Sequence, residues 1–132
     1  MRDYALAQTA ILLRRLAFQA NRAARTGDAD SVHDLRVAIR RLSRCLRTFA
    51  QFYPDNSWKR MRRSMHGLMA SAGSVRDCDI AMESLRHSGV GAAGALRQLA
   101  ADRHKAAQEL SAELRNWKQR NSSRKWRHKL GV

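Results

Sequence analysis

The chain has 132 residues, of which 26 are Lys or Arg and 11 are Asp or Glu, so its net charge is +15. This length corresponds to one domain or to a piece of one. With seven Gly and one Pro, the composition argues against an all-β sandwich or barrel and excludes a collagen-like or Gly/Ser-rich disordered chain. The apolar runs are far shorter than the ~18 residues of a membrane-spanning helix. No secretory signal follows Met1 and two cysteines make no disulfide framework, so we expect a cytoplasmic protein with no membrane partner.

Turn-forming residues divide the chain into five predicted helices. Gly27 suits the left-handed position after a helix, and Pro54 cannot continue one. Gly73-Ser74 and residues 88–91 supply two further breaks. The helices therefore span about 4–26, 31–53, 57–72, 74–88 and 92–121. Two of them begin with the spacing of a capping box, formed by Ser31 with Asp34 and by Ser74 with Asp77.

Apolar residues recur at helical spacing in these segments. The second helix has the clearest stripe, in a strict three-four spacing: Val32, Leu35, Ile39, Leu42, Leu46, Phe49 and Tyr53. The third repeats the spacing with Trp58, Met61, Met65, Leu68 and Ala72. Packing such stripes together predicts an all-α fold, an antiparallel bundle of about five helices, over residues 1–121. Residues 122–132 lack a partner stripe, so we expect a basic, frayed tail.

The positive charge is concentrated in two parts of the chain. Residues 31–66 carry +7 and residues 111–132 carry +6, whereas residues 67–110 are neutral. At about 100° per residue, five basic side chains of the second helix fall in a sector of about 80° away from the apolar stripe: His33, Arg36, Arg40, Arg44 and Arg47. Lys59, Arg62 and His66 form a similar row on the third helix. Like charges one turn apart destabilise a helix, so an unrelieved row favours a polyanionic ligand over a merely solvated face.

Two motifs resemble the CHAD domain, the conserved-histidine α-helical domain. Residues 32–42, Val-His-Asp-Leu-Arg-Val-Ala-Ile-Arg-Arg-Leu, resemble the signature of this family. Residues 73–80, Gly-Ser-Val-Arg-Asp-Cys-Asp-Ile, resemble its Gly-x-x-Arg-Asp-x-Asp-Val turn. The resemblance runs from the first helix to about residue 115. It implies a helical bundle that binds inorganic polyphosphate in a basic groove and performs no catalysis.

The resemblance also implies a set of binding residues. On the second helix they are His33, Arg36, Arg40, Arg41 and Arg44, to which the basic row adds Arg47. Lys59, Arg62 and Arg63 on the third helix and Arg76 at the turn complete the set. Domains of this family usually contain two such halves in tandem, and this chain holds one. It is therefore either a fragment or a homodimer whose two copies rebuild the groove.

Other chemistry-bearing residues have structural interpretations. His33 could instead shield Asp34 or cap backbone groups. We expect Asp77 to cap the helix that begins at Ser74 and Asp79 to orient an arginine. The histidines show no spacing for a metal site, and no nucleophile set or phosphate loop is present, so we expect no cofactor, no metal and no enzymatic activity.

The expected function is binding of inorganic polyphosphate, in the cytoplasm at large or at polyphosphate granules. Two alternatives remain open for the same basic face. Nucleic acid is one candidate ligand, although aromatic residues for base stacking are scarce. An acidic protein partner, bound by an adaptor module, is the other.

Overall fold

The computed structural model describes residues 1–89, 91 and 93–132. Five helices account for most of these residues, and no strand occurs among them: α1 (Arg2–Thr26), α2 (Ala29–Thr48), α3 (Ser57–Ser88), α4 (Ala93–Gln119) and α5 (Ser122–Leu130). A 3-10 turn, Ala50–Phe52, lies between α2 and α3. The predicted all-α bundle is confirmed. None of the described helices is long and apolar enough to cross a membrane.

The helices α1 to α4 form a ring around one core. Helix α2 packs between α1 and α3, and α4 closes the ring by packing on both α3 and α1. The core contains the predicted stripes of α2 and α3, including Leu35, Leu42 and Met65. From α1 and α4 it takes Leu16 and Leu110. Short connections make consecutive helices antiparallel, so the basic row of α2 lies beside that of α3.

The turn between α1 and α2 depends on Gly27 and Asp28. Gly27 has φ 60°, and its N–H donates to the carbonyl of Ala23 at 2.9 Å, as expected for a left-handed cap. Asp28 is the N-cap of α2 and accepts a hydrogen bond from the Ser31 N–H at 2.8 Å. The capping box predicted for Ser31 with Asp34 is therefore wrong. The helix begins one turn earlier, and Asp34 forms an ion pair with Arg22 of α1.

Helix α3 continues through Gly73 and Ser74, where the sequence predicts a break. The Ser74 hydroxyl donates to the carbonyl of Ala70, which is a bond inside the helix. Ala72 and Val75 on either side are fully buried, so tertiary packing outweighs the low helix propensity of glycine. The predicted helix boundary is wrong. Asp77 consequently lies in the interior of α3, not at a helix start, and its predicted capping role is wrong too.

The expected frayed tail is also wrong over Ser122–Leu130, which forms α5. Leu130 is 1% exposed and belongs to the core. The ring of Trp126 packs edge-on against that of Trp117, with centroids 5.5 Å apart. A nine-residue helix is unstable by itself, and these contacts with α4 and the core stabilise it. The sequence predicts five helices and the structure has five among the described residues. However, the predicted third and fourth helices together form α3, and the tail forms the fifth helix.

Candidate functional site

The basic rows of α2 and α3 meet in one groove, called here the α2–α3 groove. Each row follows from residues three or four apart, which share a helix face. The groove has a volume of about 900 Å³. Among the described residues its lining comes from α2 and α3 alone and consists of Ile39, Arg40, Ser43, Arg44, Arg47, Trp58, Lys59, Arg62, Arg63, Met65, His66 and Met69.

Six of these twelve side chains are Arg or Lys, and none is a carboxylate. They are Arg40, Arg44 and Arg47 of α2 and Lys59, Arg62 and Arg63 of α3. None of the six forms an ion pair with a described residue. Concentrated like charge without counter-charge gives the groove a strongly positive potential, which attracts anions.

The floor of the groove orients two of the cations. The Nε of Arg62 donates to the hydroxyl of Ser43 at 3.1 Å, which links α3 to α2. The Nζ of Lys59 lies 5.7 Å from the ring centroid of Trp58, within cation–π range. Below them, Ile39 and Met65 are buried. The two cations thus lie above buried apolar residues that belong to the core shared by α2 and α3.

Four of the ten predicted site residues lie outside this lining: His33, Arg36, Arg41 and Arg76. His33 and Arg36 lie on the row of α2, toward its N-terminus. Arg41 is exposed and about 100° around the helix from Arg40. The Nε of Arg36 is buried and has no hydrogen-bond partner among the described residues. The assignment of these four to a binding site stays a prediction.

Three groove residues with polar or aromatic side chains are absent from the predicted site residues. Trp58 was assigned to the apolar stripe, yet it is half-buried and lines the groove. Ser43 follows Arg40 by three residues, and this spacing could have identified it. His66 was recognised in the basic row of the third helix but was not included among the site residues; it is exposed at the groove.

Asp79 orients an arginine, as predicted. Its carboxylate accepts a hydrogen bond from the Nε of Arg103 at 2.6 Å. A terminal nitrogen of Arg103 also donates to the carbonyl of Gly27 at 2.8 Å. This arrangement ties α3 and α4 to the turn between α1 and α2, and it is a structural role remote from the groove.

No group of three or more His, Cys, Asp or Glu in the described part of the chain could hold a metal ion. Burial, followed by the charges of Asp102, Asp79 and Asp77, raises the pKa of the Cys78 thiol. A raised pKa disfavours the reactive thiolate. Cys45 is buried beside Thr9 and packs in the fold.

Comparison with known proteins gives one finding. A family model described as the CHAD domain matches residues 9–131, which is nearly the whole chain. The match includes α5, beyond the end at about residue 115 that the motifs indicate. No curated protein and no solved structure matches the chain.

Proposed function

The chain belongs to the CHAD domain family, and from this premise we propose that it binds inorganic polyphosphate in the α2–α3 groove, without catalysing a reaction. One observation carries the proposal: six cationic side chains from two helices line one groove, and no carboxylate is among the described residues of its lining. Arginine supplies five of the six, and its planar fork can donate two hydrogen bonds to one phosphate group.

The energetics of the groove support a polyanionic ligand. In the free protein, cations one turn apart repel each other and lower stability. A phosphate chain along the groove would replace this repulsion by attraction and would release the counterions condensed on the chain. Arg40, Arg44 and Arg47 span about 10 Å of α2 at 1.5 Å per residue, with a cation at each turn. The groove would thus recognise a repeating charge, with no sequence to read.

Two copies of the chain are proposed to bind one polyphosphate chain. Among the described residues the groove is lined by α2 and α3 alone, and the proposal is that a second copy covers its open side. A two-fold axis would place two such grooves together. Light scattering with and without polyphosphate tests this arrangement: a dimer is expected, and a monomer under both conditions would refute it. The proposed location is the cytoplasm, where polyphosphate granules would be the site of binding.

Single-stranded nucleic acid is the second candidate ligand, and Trp58 is the observation that favours it. Its ring lies at the groove beside Lys59, where a base could stack. Competition separates the two ligands. We expect polyphosphate to displace a DNA oligonucleotide of equal charge, whereas a nucleic-acid-binding protein would retain the oligonucleotide. An adaptor that binds an acidic protein would bind neither ligand tightly.

The main test removes three groove charges. In the triple variant Arg40→Gln, Arg44→Gln, Arg63→Gln, all three positions are exposed, so the fold should be retained. At about 0.15 M salt we expect its affinity for long-chain polyphosphate to fall by about 100-fold or more, because a hydrogen bond to a charged group contributes about 1.5 to 3 kcal/mol. Isothermal titration calorimetry measures the affinity, and circular dichroism checks helicity.

A matched control removes the same charge elsewhere. The variant Arg14→Gln, Arg15→Gln, Arg86→Gln also lowers the net charge by three, at exposed positions outside the groove. We expect it to bind within about 3-fold of the unmodified protein, since net charge acts weakly at a distance in salt. An equal decrease in affinity in the two triple variants would refute the groove as the binding site.

A further inference from the structure

A second basic cleft lies where α3, the end of α4 and α5 meet, and it is called here the α5 cleft. Its volume is about 330 Å³. It brings together Arg60 of α3, Arg120 after α4 and Lys129 of α5. These residues are far apart in sequence and line one cleft because the tail folds back as α5. Two of the basic residues of the segment 111–132, Arg120 and Lys129, therefore lie in this cleft.

The three cations of the α5 cleft are incompletely balanced. None of them forms an ion pair with a described residue. The acid in the lining is Glu113, whose carboxylate accepts a hydrogen bond from the Ser71 hydroxyl at 2.8 Å. Asp55 lies close enough that Lys129 and Arg60 help to lower its pKa, after the hydrogen bonds from Ser57. Three cations against two nearby carboxylates leave an excess of positive charge.

The walls of the α5 cleft provide further donors. Ser64 and Asn116 line the cleft with hydroxyl and amide groups. Trp117 also lines it and is 8% exposed. The indole N–H of Trp117 is buried without a hydrogen-bond partner among the described residues. Buried donors of this kind are rare, since an unmade hydrogen bond is destabilising. A ligand that brings oxygen acceptors into the cleft would add partners to the Ser64 hydroxyl and the Asn116 amide.

The α5 cleft adjoins the α2–α3 groove across α3. Arg63 lines the groove and Arg60 lines the cleft. Residues three apart on a helix are neighbours on its surface, with Cβ atoms about 5 to 6 Å apart. Lys59, the residue before Arg60, also lines the groove. Neighbouring basic side chains on the surface of α3 therefore connect the α2–α3 groove with the α5 cleft.

We propose that the α5 cleft is the continuation of the α2–α3 groove and binds the part of a long polyphosphate chain that extends over α3 past Arg63 and Arg60. This inference rests on the proposed function and extends it. A short polyphosphate would occupy the groove, where six cations converge. A long one would occupy both sites, so the affinity gained with chain length would depend on the cleft.

The test compares two ligands and two triple variants. The cleft variant is Arg60→Gln, Arg120→Gln, Lys129→Gln, and its control is Arg14→Gln, Arg15→Gln, Arg86→Gln, which removes the same charge. The probes are tripolyphosphate and long-chain polyphosphate. We expect the cleft variant to bind long chains about 10-fold more weakly than the control, and tripolyphosphate within about 2-fold of it.

Tryptophan fluorescence locates the ligand directly. Trp58 lines the groove, whereas Trp117 and Trp126 line the cleft. In the variant Trp58→Phe, emission therefore comes from residues at the cleft. Long-chain polyphosphate should change this emission, and tripolyphosphate should leave it unchanged. A change of equal size with both ligands would overturn the inference, because the cleft would then be an independent site.

The inference and the proposed function fail in different ways. If the cleft variant binds long chains as the control does while the groove variant loses binding, the continuation is refuted and the groove stands. If the groove variant and the cleft variant both match the control, the proposed function is refuted as well.

Discussion

The Nε of Arg62 donates a hydrogen bond to the hydroxyl of Ser43 at 3.1 Å, across the two helices that line the groove. This bond uses one of the five guanidinium donors. The remaining donors of Arg62 make no hydrogen bond with the described residues and stay available to a ligand. Because the side chain is already ordered, less conformational entropy is lost when an anion binds.

Replacement of Ser43 by alanine should therefore weaken binding without changing the charge of the groove. Releasing one ordered arginine costs about 0.5 to 1.5 kcal/mol, so Ser43→Ala should weaken polyphosphate binding by about 2- to 10-fold. Ser74→Ala is the control, because the Ser74 hydroxyl donates within α3 and lies outside the groove. Calorimetric titration measures both variants. Unchanged affinity in Ser43→Ala would show that this hydrogen bond does not prepare the site.

The salt dependence of binding should report the number of groove contacts. If the six cations contact phosphate, a plot of log affinity against log salt should have a slope of about −4, by analogy with single-stranded nucleic acids. The triple groove variant should reduce the magnitude by about 2. Titrations at four salt concentrations measure the slope. A slope near zero would exclude a site built on ion pairing.

The sequence predicts the basic row of α2 because helical spacing determines which side chains share a face. Arg40, Arg44 and Arg47 line the groove as their spacing requires. Helical spacing does not show how far α3 extends along the basic row of α2. It therefore cannot show that Arg36, nearer the N-terminus of α2, lies outside the groove lining and has a buried Nε. That distinction depends on how α3 packs on α2.

The helix break that the sequence predicts at Gly73, and that α3 does not have, depends on more than residue type. Glycine ends a helix when it adopts a positive φ, as Gly27, Gly89 and Gly131 do. Gly73 does not, and the buried residues around it hold it in helical conformation. A glycine in the sequence is compatible with a helix end or with a helix interior, and tertiary packing determines which of the two occurs.

Replacement of Gly73 by alanine should stabilise the protein. A Cβ atom at this position would have no heavy atom within 4 Å, apart from its own helix and chain neighbours. Alanine is favoured over glycine inside a helix by about 0.5 to 1 kcal/mol. Urea denaturation should show this increase for Gly73→Ala. Gly89→Ala should instead be destabilising, because Gly89 has φ 69°. Destabilisation by Gly73→Ala would contradict a continuous α3.

The tail should contribute to stability through Leu130. Since this side chain is 1% exposed, Leu130→Ala should lower the free energy of unfolding by about 2 to 4 kcal/mol. Lys125→Ala on the exposed side of α5 should change it by less than about 0.5 kcal/mol. Urea denaturation compares the two variants. If the two variants had equal free energies of unfolding, the tail would be frayed, as the sequence predicts.

Tyr53 should make stability fall at alkaline pH. The Thr9 hydroxyl donates to the carbonyl of Ala5 at 2.7 Å, so the Tyr53 hydroxyl, 2.8 Å from the Thr9 oxygen, is the donor in that pair. Burial raises the pKa of Tyr53, and the folded protein keeps this phenol protonated after the unfolded chain has begun to ionise near pH 10. The associated stability is therefore fully present below about pH 10 and is lost as the pH rises further, by up to about 1.4 kcal/mol per pH unit.

The variant Tyr53→Phe lacks this ionisation. We expect the stability difference between the unmodified protein and Tyr53→Phe to shift by about 1 kcal/mol in favour of the variant between pH 9 and pH 11. Urea denaturation at the two pH values measures it. Tyr4→Phe is the control, because it removes a phenol that is 59% exposed. A pH-independent difference for Tyr53→Phe would mean that the phenol ionises as readily in the folded protein as in the unfolded chain.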